Sequence, residues 1–232
     1  MRVLAGTSGF SYKEWKGSFY PEDLPAERML AYYAERLPAV EINNTFYRMP
    51  KPALLESWAA EVAPEFRFVL KASQRITHFK RLKETGSEVE YFFGAASTLG
   101  DRLGPVLVQL PPNLKKDLPR LEAFLATLPA GARPAFEFRH ASWFEEDVFT
   151  ALRTKGAALC VAEDEELATP LVSTAGWGYL RLRRQDYDDA AVAAWADRVR
   201  GQSWSEAYVF FKHEDAGAGP RLAAQFLERI RN

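Results

Sequence analysis

Cysteine is almost absent from this chain: Cys160 is the only one in 232 residues and sits within the apolar run 157–161. A lone thiol excludes an intrachain disulfide framework and a cysteine zinc site, and it fits a reducing cytoplasm best. Histidine is nearly as scarce. His78, His140 and His213 form no His-x-His or His-Glu-x-x-His pair, so no metal site is expected. The multinuclear zinc arrangement of barrel endonucleases would need far more His and Asp. No Gly-x-Gly-x-x-Gly turn follows the first apolar run, and Gly6-Thr7-Ser8-Gly9 lacks the Gly-Lys-Ser/Thr ending of a phosphate loop. No cofactor is therefore expected. No stretch approaches the ~20 apolar residues of a membrane helix. The first residues carry no charged segment, apolar core and cleavage site of an export signal. These absences predict a soluble cytoplasmic protein with no membrane partner. Charge of one sign is also lacking: 30 Lys and Arg face 31 Asp and Glu, a net charge of −1. That balance argues against a protein coated in nucleic acid and leaves room for a local basic patch. There is no fixed-period repeat, low-complexity tract or Gly/Ser linker, so residues 1–232 read as one domain.

What is present is a rhythm. Eight apolar runs of strand length cover 2–8, 39–45, 66–73, 105–111, 134–140, 157–163, 178–184 and 206–213. Amphipathic segments separate them, such as Leu30, Tyr33, Ala34 and Leu37, or Leu118, Leu121, Leu125 and Leu128. Near the end Leu222, Phe226 and Ile230 form one helical stripe. Ser87 with Glu90 and Ser142 with Glu145 have capping-box spacing. Eight β/α units over this length predict an α/β fold, a single (β/α)8 barrel of the triosephosphate-isomerase type. An open doubly wound sheet is the rival. The connection 164–175, interrupted by Pro170, is too short for a full crossover helix and is expected to hold a short helical turn.

Strand parity then sorts side chains between the helical layer and the barrel interior. Phe136 and Phe138 share one face, leaving Glu137 and Arg139 on the other. Val40 and Ile42 leave Glu41 and Asn43 inside; Phe68 and Leu70 leave Lys71; Val108 and Leu110 leave Gln109; Leu180 and Leu182 leave Arg181 and Arg183. The polar set lies toward strand C-termini, where barrel enzymes build their sites. Lys71, Arg139, Arg181 and Arg183 against Glu41 and Glu137 make an excess of two positive charges. Arginine forks bind carboxylate or phosphate bidentately, so an anionic ligand would balance them. The plainer reading is an internal salt-bridge network.

Several chemistries fit these residue types. Glu41 and Glu137 suit the paired carboxylates of a glycoside hydrolase, with Trp15, Trp143 and Trp177 as stacking platforms. Lys71 at a strand tip suits imine chemistry, although an adjacent Glu41 would hold its pKa up. The segment holding Arg75, His78, Phe79, Lys80, Arg81 and Lys83 suits contact with a nucleic-acid backbone.

Gly6-Thr7-Ser8-Gly9-Phe10-Ser11-Tyr12 followed by Trp15, Gly17, Phe19, Tyr20 and Pro21 resembles the N-terminal signature of the YecE-like family, a domain of unknown function. Glu41-Ile42-Asn43-Asn44-Thr45-Phe46-Tyr47-Arg48 with Pro50 and Trp58 is similar as well. So are Phe68, Lys71, Ile76-Thr77-His78, Leu107, Gln109-Leu110-Pro111-Pro112, Glu137-Phe138-Arg139-His140 and Ser142-Trp143. The resemblance covers about the first two-thirds of the chain. It implies a barrel of the triosephosphate-isomerase type and carries no established activity. In the last third, Leu182-Arg183-Arg184 stands where that family tends to show His-Gly, and Lys212-His213 where it tends to show paired asparagines.

The candidate catalytic residues are then Glu41, Lys71 and Glu137. Candidate substrate-binding residues are Asn43, Tyr47, Arg48, His78, Gln109, Arg139, His140, Trp143 and Arg181. The expected ligand is an anionic, phosphate-bearing small molecule bound at the mouth, with hydrolase or lyase chemistry. The alternatives are a non-catalytic nucleic-acid-binding barrel and a glycoside-type hydrolase using Glu41 and Glu137.

Overall fold

Each apolar run becomes a strand in the computed structural model, which describes residues 1–163, 167–213 and 215–231. The strands are β1 (Arg2–Ser8), β2 (Ala39–Ile42), β3 (Arg67–Lys71), β4 (Leu103–Gln109), β5 (Pro134–Glu137), β6 (Ala158–Glu163), β7 (Trp177–Leu182) and β8 (Glu206–Phe211). They pair in sequence order, all parallel, and β8 returns to β1 to close a barrel. Closure leaves no open edge, which the doubly wound alternative would require. The helices are α1 (Met29–Ala34), α2 (Asn44–Tyr47), α3 (Pro52–Glu61), α4 (Gly86–Ala96), α5 (Leu118–Thr127), α6 (Glu146–Lys155), α7 (Asp189–Arg200) and α8 (Ala218–Arg231). None of the described helices is long and apolar enough to cross a membrane.

Parity divides the apolar side chains into two cores. The layer between strands and helices takes Val40, Ile42, Phe68, Leu70, Val108, Leu110, Phe136, Phe138, Leu180 and Leu182, together with Leu222 and Phe226 of α8. The barrel interior is filled by Leu4, Ala39, Val69, Leu107, Ala135, Cys160, Tyr179, Tyr208 and Phe210. Tight closure demands a glycine at one point: a Cβ on Gly6 would lie 1.9 Å from the Ala39 carbonyl oxygen. The interior is a packed plug, so a ligand can enter only above it.

The ends of several elements differ from the sequence expectation. The second strand stops at Ile42 instead of residue 45, because Asn43 turns into the αR region and α2 begins. The third and fifth strands are also shorter, ending at Lys71 and Glu137. Neither capping box forms. Ser87 lies inside α4, whose first flanking residue is Thr85, and Ser142 lies in a 3-10 turn where its Oγ accepts from the Lys116 N–H at 2.8 Å. The short helical turn expected between β6 and β7 is absent from residues 167–176; residues 164–166 lie outside the described part. An antiparallel bridge from Ala168 to Glu163 takes its place. Thr174 Oγ1 then staples the segment to β6, donating to the Ala157 carbonyl and accepting from the Leu159 N–H, both at 2.7 Å. Pro170 has no N–H to give a helix, and these side-chain bonds meet the backbone's needs instead.

Candidate functional site

The inward positions at the C-terminal ends of β2, β5 and β7 hold Glu41, Glu137 and Arg181. Both carboxylates have no exposed surface at all. Arg181 joins them: Nη2 donates to Glu41 Oε1 at 2.7 Å, Nε to the same oxygen at 3.2 Å, and Nη1 to Glu137 Oε2 at 2.6 Å. Glu41 also accepts from Ser8 Oγ at 2.7 Å and from the Tyr179 hydroxyl at 2.6 Å. Glu137 accepts from Gln109 Nε2 at 2.9 Å and pairs with Arg139 at 3.3 Å and Arg183 at 3.2 Å. Every carboxylate oxygen therefore has a donor, the condition under which buried charges are tolerated.

Burial alone would raise the pKa of both acids. Burial is the largest single influence, but Arg181 together with Tyr179 and Ser8 at Glu41, and with Arg183 and Gln109 at Glu137, outweighs it. The Glu41 carboxyl is held below its ordinary range and that of Glu137 falls to about 2. Both are ionised at neutral pH. A glycoside hydrolase needs one carboxylic acid that keeps its proton near neutrality, and neither of these meets that need.

Lys71 behaves differently. Its Nζ lies 4.2 Å from the centre of the Phe46 ring, and among the described residues it has no carboxylate within 4.0 Å and no hydrogen bond. Burial and the Arg181 charge push its pKa down to about 8 against the pull of Glu41 and Glu137. This corrects the sequence expectation that Glu41 would hold the value up. Glu41 is already committed to Arg181, and its charge is largely cancelled there. Thr45 fixes the neighbouring geometry by donating to the Lys71 carbonyl at 2.7 Å, which docks α2 over β3. His78 packs edge-on against Phe46 with centroids 4.9 Å apart, and its Nδ1 meets Thr77 Oγ1 at 2.9 Å. Burial and the Lys71 charge lower its pKa, so His78 is neutral at pH 7.

The remaining candidates scatter. Asn43 flanks α2 and its side chain caps nothing; the parity that placed it inside ends with the strand. His140 accepts from the Ser142 N–H at 3.1 Å and lies 2.8 Å from Ser142 Oγ, a local turn contact. Trp143 is fully buried, stacked on Phe138 at 4.7 Å, with Nε1 donating to the Leu114 carbonyl at 2.7 Å. It is a core residue, not a ligand platform. Trp15 is equally buried, and Trp177 opens β7 at the end of the barrel away from the mouth. Tyr47 and Arg48 lie exposed on the rim. Gly6-Thr7-Ser8-Gly9 cradles nothing: the Thr7 N–H donates to the Tyr33 hydroxyl and the Gly9 N–H to the Glu41 carbonyl, at 2.9 and 2.8 Å.

The basic segment 75–83 is likewise divided. Lys80 pairs with Glu88 at 2.8 Å, Arg81 reaches Asn113 at 3.3 Å, and His78 turns toward Phe46. The divergent positions also acquire places. Arg183 reaches Glu137, while Arg184 covers the Tyr187 ring and its carbonyl lies 2.7 Å from His213 Nε2. Among the described residues no three His, Cys, Asp or Glu side chains form a metal-holding group. Ser8, Phe46 and Tyr179 belong to the site and were not among the candidates. Ser8 and Tyr179 share the inward parity of Gly6 and Arg181, a signal present in the sequence. Phe46 arrives through α2, which strand parity does not reach.

Four similarities to known proteins bear on this barrel. The family described as "Protein of unknown function DUF72" matches residues 4–232. The Escherichia coli (strain K12) UPF0759 protein YecE is 34% identical over 116 residues, spanning 50% of this chain and 43% of that protein. The match thus spans less than half of YecE's length. The Bacillus subtilis (strain 168) UPF0759 protein YunF is 24% identical over 215 residues, 84% of this chain and 74% of that one. A crystal structure of a DUF72 family protein from Thermotoga maritima superposes with a TM-score of 0.84 at 26% identity, covering 100% of both chains. With its barrel, its order of motifs and a match over nearly its whole length, the chain belongs to the DUF72 family of proteins of unknown function.

Proposed function

We propose that the mouth is an enzyme active site in which Lys71 reacts as a free amine with the carbonyl carbon of an anionic small molecule. The observation that carries this reading is the setting of Lys71: a buried lysine at the mouth, against an aromatic ring, with no counter-ion among the described residues. A lysine desolvated beside other cations is the form that attacks carbonyls, because a useful fraction is unprotonated near neutral pH. The nitrogen lone pair forms the new C–N bond as the carbonyl π pair moves to oxygen; the nitrogen gives up one proton and the oxygen takes one up, giving a carbinolamine. Loss of that oxygen as water leaves an imine. Neutral His78, on the same aromatic ring as Lys71, is the group suited to carry those protons.

Glu41, Arg181 and Glu137 act as a fixed electrostatic floor in this reading. Arg181, Arg183, Arg139 and Lys71 surround two carboxylates, and Lys212 adds to the positive field at Lys71. That field favours a substrate bearing phosphate or carboxylate. Protonated to the iminium, the new C=N bond accepts the electron pair of an adjacent bond and becomes an enamine, chemistry that suits a lyase and requires no cofactor.

Trapping tests the idea directly. The protein is incubated with a panel of 2-oxo acids and phosphorylated aldehydes and ketones in the presence of cyanoborohydride, then mapped by peptide mass spectrometry. The expected outcome is a reduced adduct on the peptide carrying Lys71, missing from Lys71→Met. Adducts spread over exposed lysines such as Lys13 and Lys83, with none enriched at Lys71, would sink the proposal.

A further inference from the structure

A pocket opens beside the mouth, between the end of α2, the turn at Arg75–Phe79 and the N-terminal part of α4. It holds about 510 Å³ and its wall includes Tyr47, Arg48, Met49, Arg75, Glu88 and Tyr91. Neither Arg48 nor Arg75 has a carboxylate within 4.0 Å or a guanidinium hydrogen bond among the described residues, and both line this one pocket. Glu88 does not offset them, because Lys80 holds both of its oxygens at 2.8 and 2.9 Å. The pocket therefore presents two unengaged guanidinium forks with their charge uncancelled. Tyr47 and Tyr91 stand in the same wall, 68% and 51% exposed, beside the Met49 thioether. Two exposed tyrosine rings beside two unpaired guanidinium groups combine a stacking surface with an anion-binding one.

We infer that this pocket binds a nucleoside monophosphate, with the phosphate between Arg48 and Arg75 and the base against Tyr47 or Tyr91. Paired arginine forks match the oxygens of a phosphate monoester. A sugar phosphate would satisfy the arginines and leave both rings bare, whereas a base offers a π-face to stack on. The pocket is of ligand size. The site is distinct from Lys71 and stands whether or not that lysine reacts. Phe46 separates the two, touching Tyr47 at 5.0 Å between centroids on one side and Lys71 on the other.

Equilibrium dialysis with adenosine 5′-monophosphate, adenosine, inorganic phosphate and a short single-stranded oligonucleotide tests the assignment. The monophosphate should bind more tightly than adenosine or phosphate alone. Its affinity should fall roughly tenfold or more in Arg48→Ala/Arg75→Ala and in Tyr47→Ala/Tyr91→Ala, the loss expected of anchoring contacts. These side chains project from the surface, and circular dichroism should show both variants folded. Binding should survive in Lys71→Met. The inference is overturned if the monophosphate fails to bind, or binds equally well without both arginines. It is also overturned if binding disappears with Lys71→Met, or if the oligonucleotide binds while the monophosphate does not.

Discussion

Arg181 spends all three of its nitrogens on two carboxylates that have no access to water. Such a network is weak evidence for stability as a whole, because packed apolar groups in its place are often as good. Removing one member is another matter, since it strands the charges that remain. Arg181→Met should therefore lower unfolding free energy by about 3–5 kcal/mol, measured as a fall in the urea midpoint. Adding Glu41→Gln and Glu137→Gln to that variant should restore part of the loss, because the three positions are coupled. A loss below about 1 kcal/mol for the single variant would mean that water already reaches the carboxylates. The same commitment of Glu41 to Arg181 explains why sequence reasoning misjudged Lys71. Adjacency of a Glu and a Lys was legible from strand parity; that a third residue had already claimed the carboxylate was not.

Strand interiors were legible because side chains alternate with a period of two, and that period forces apolar groups to one face. Strand ends were not. Asn43 keeps the polar position of the β2 alternation and Asn44 breaks it, but the pattern does not say that the chain turns into α2 directly after Ile42. A tertiary contact decides it, the Thr45 hydroxyl on the Lys71 carbonyl, and no local pattern reports that bond. Phe46, the ring beneath Lys71, was invisible for the same reason. Trp143 erred in the opposite direction: it follows a strand tip and looks available, but Phe138 and the Leu114 carbonyl hold it in the core. Where β1 meets β2 the constraint is backbone against backbone. A methyl group on Gly6 would overlap the Ala39 carbonyl, and the Tyr33 hydroxyl 2.9 Å from the same point leaves no lateral room. Gly6→Ala should force the two strands apart and cost about 4 kcal/mol or more, the range of severe overpacking and lost backbone pairing. Chemical denaturation is the measurement, and a thermal midpoint within a few degrees of the parent would show that the barrel can breathe at this seam.

Across the molecule the shifted groups act on stability in opposite senses at the two ends of the pH scale. Glu137 ionises at about 2 in the folded state, below its unfolded value, so it contributes stability that is complete above pH ~4.3 and is lost as pH falls toward 2. Glu41 is shifted in the same direction and adds to that acid limb. Lys71 is the unusual case. Its folded pKa of about 8 lies below the unfolded value near 10.4, so between these the unfolded chain binds the extra proton. Stability must then rise with pH across that window, as the folded state sheds a buried ammonium it holds at a cost. Tyrosines set the upper limit. Tyr20, Tyr33 and Tyr208 all have raised pKa values through burial, to about 12 for Tyr208, so their contribution is lost above pH ~10 as the unfolded phenols ionise. The wild-type profile should therefore climb from about pH 8 and reach its maximum near pH ~10, where the tyrosine loss begins. Lys71→Met should be the more stable protein at pH 7, with a flat profile over that window and an unchanged acid limb. Urea midpoints taken from pH 3 to 10 resolve both limbs, and a wild-type curve already falling between pH 7 and 9 would show that Lys71 carries its proton without penalty and has no claim to be the reacting amine.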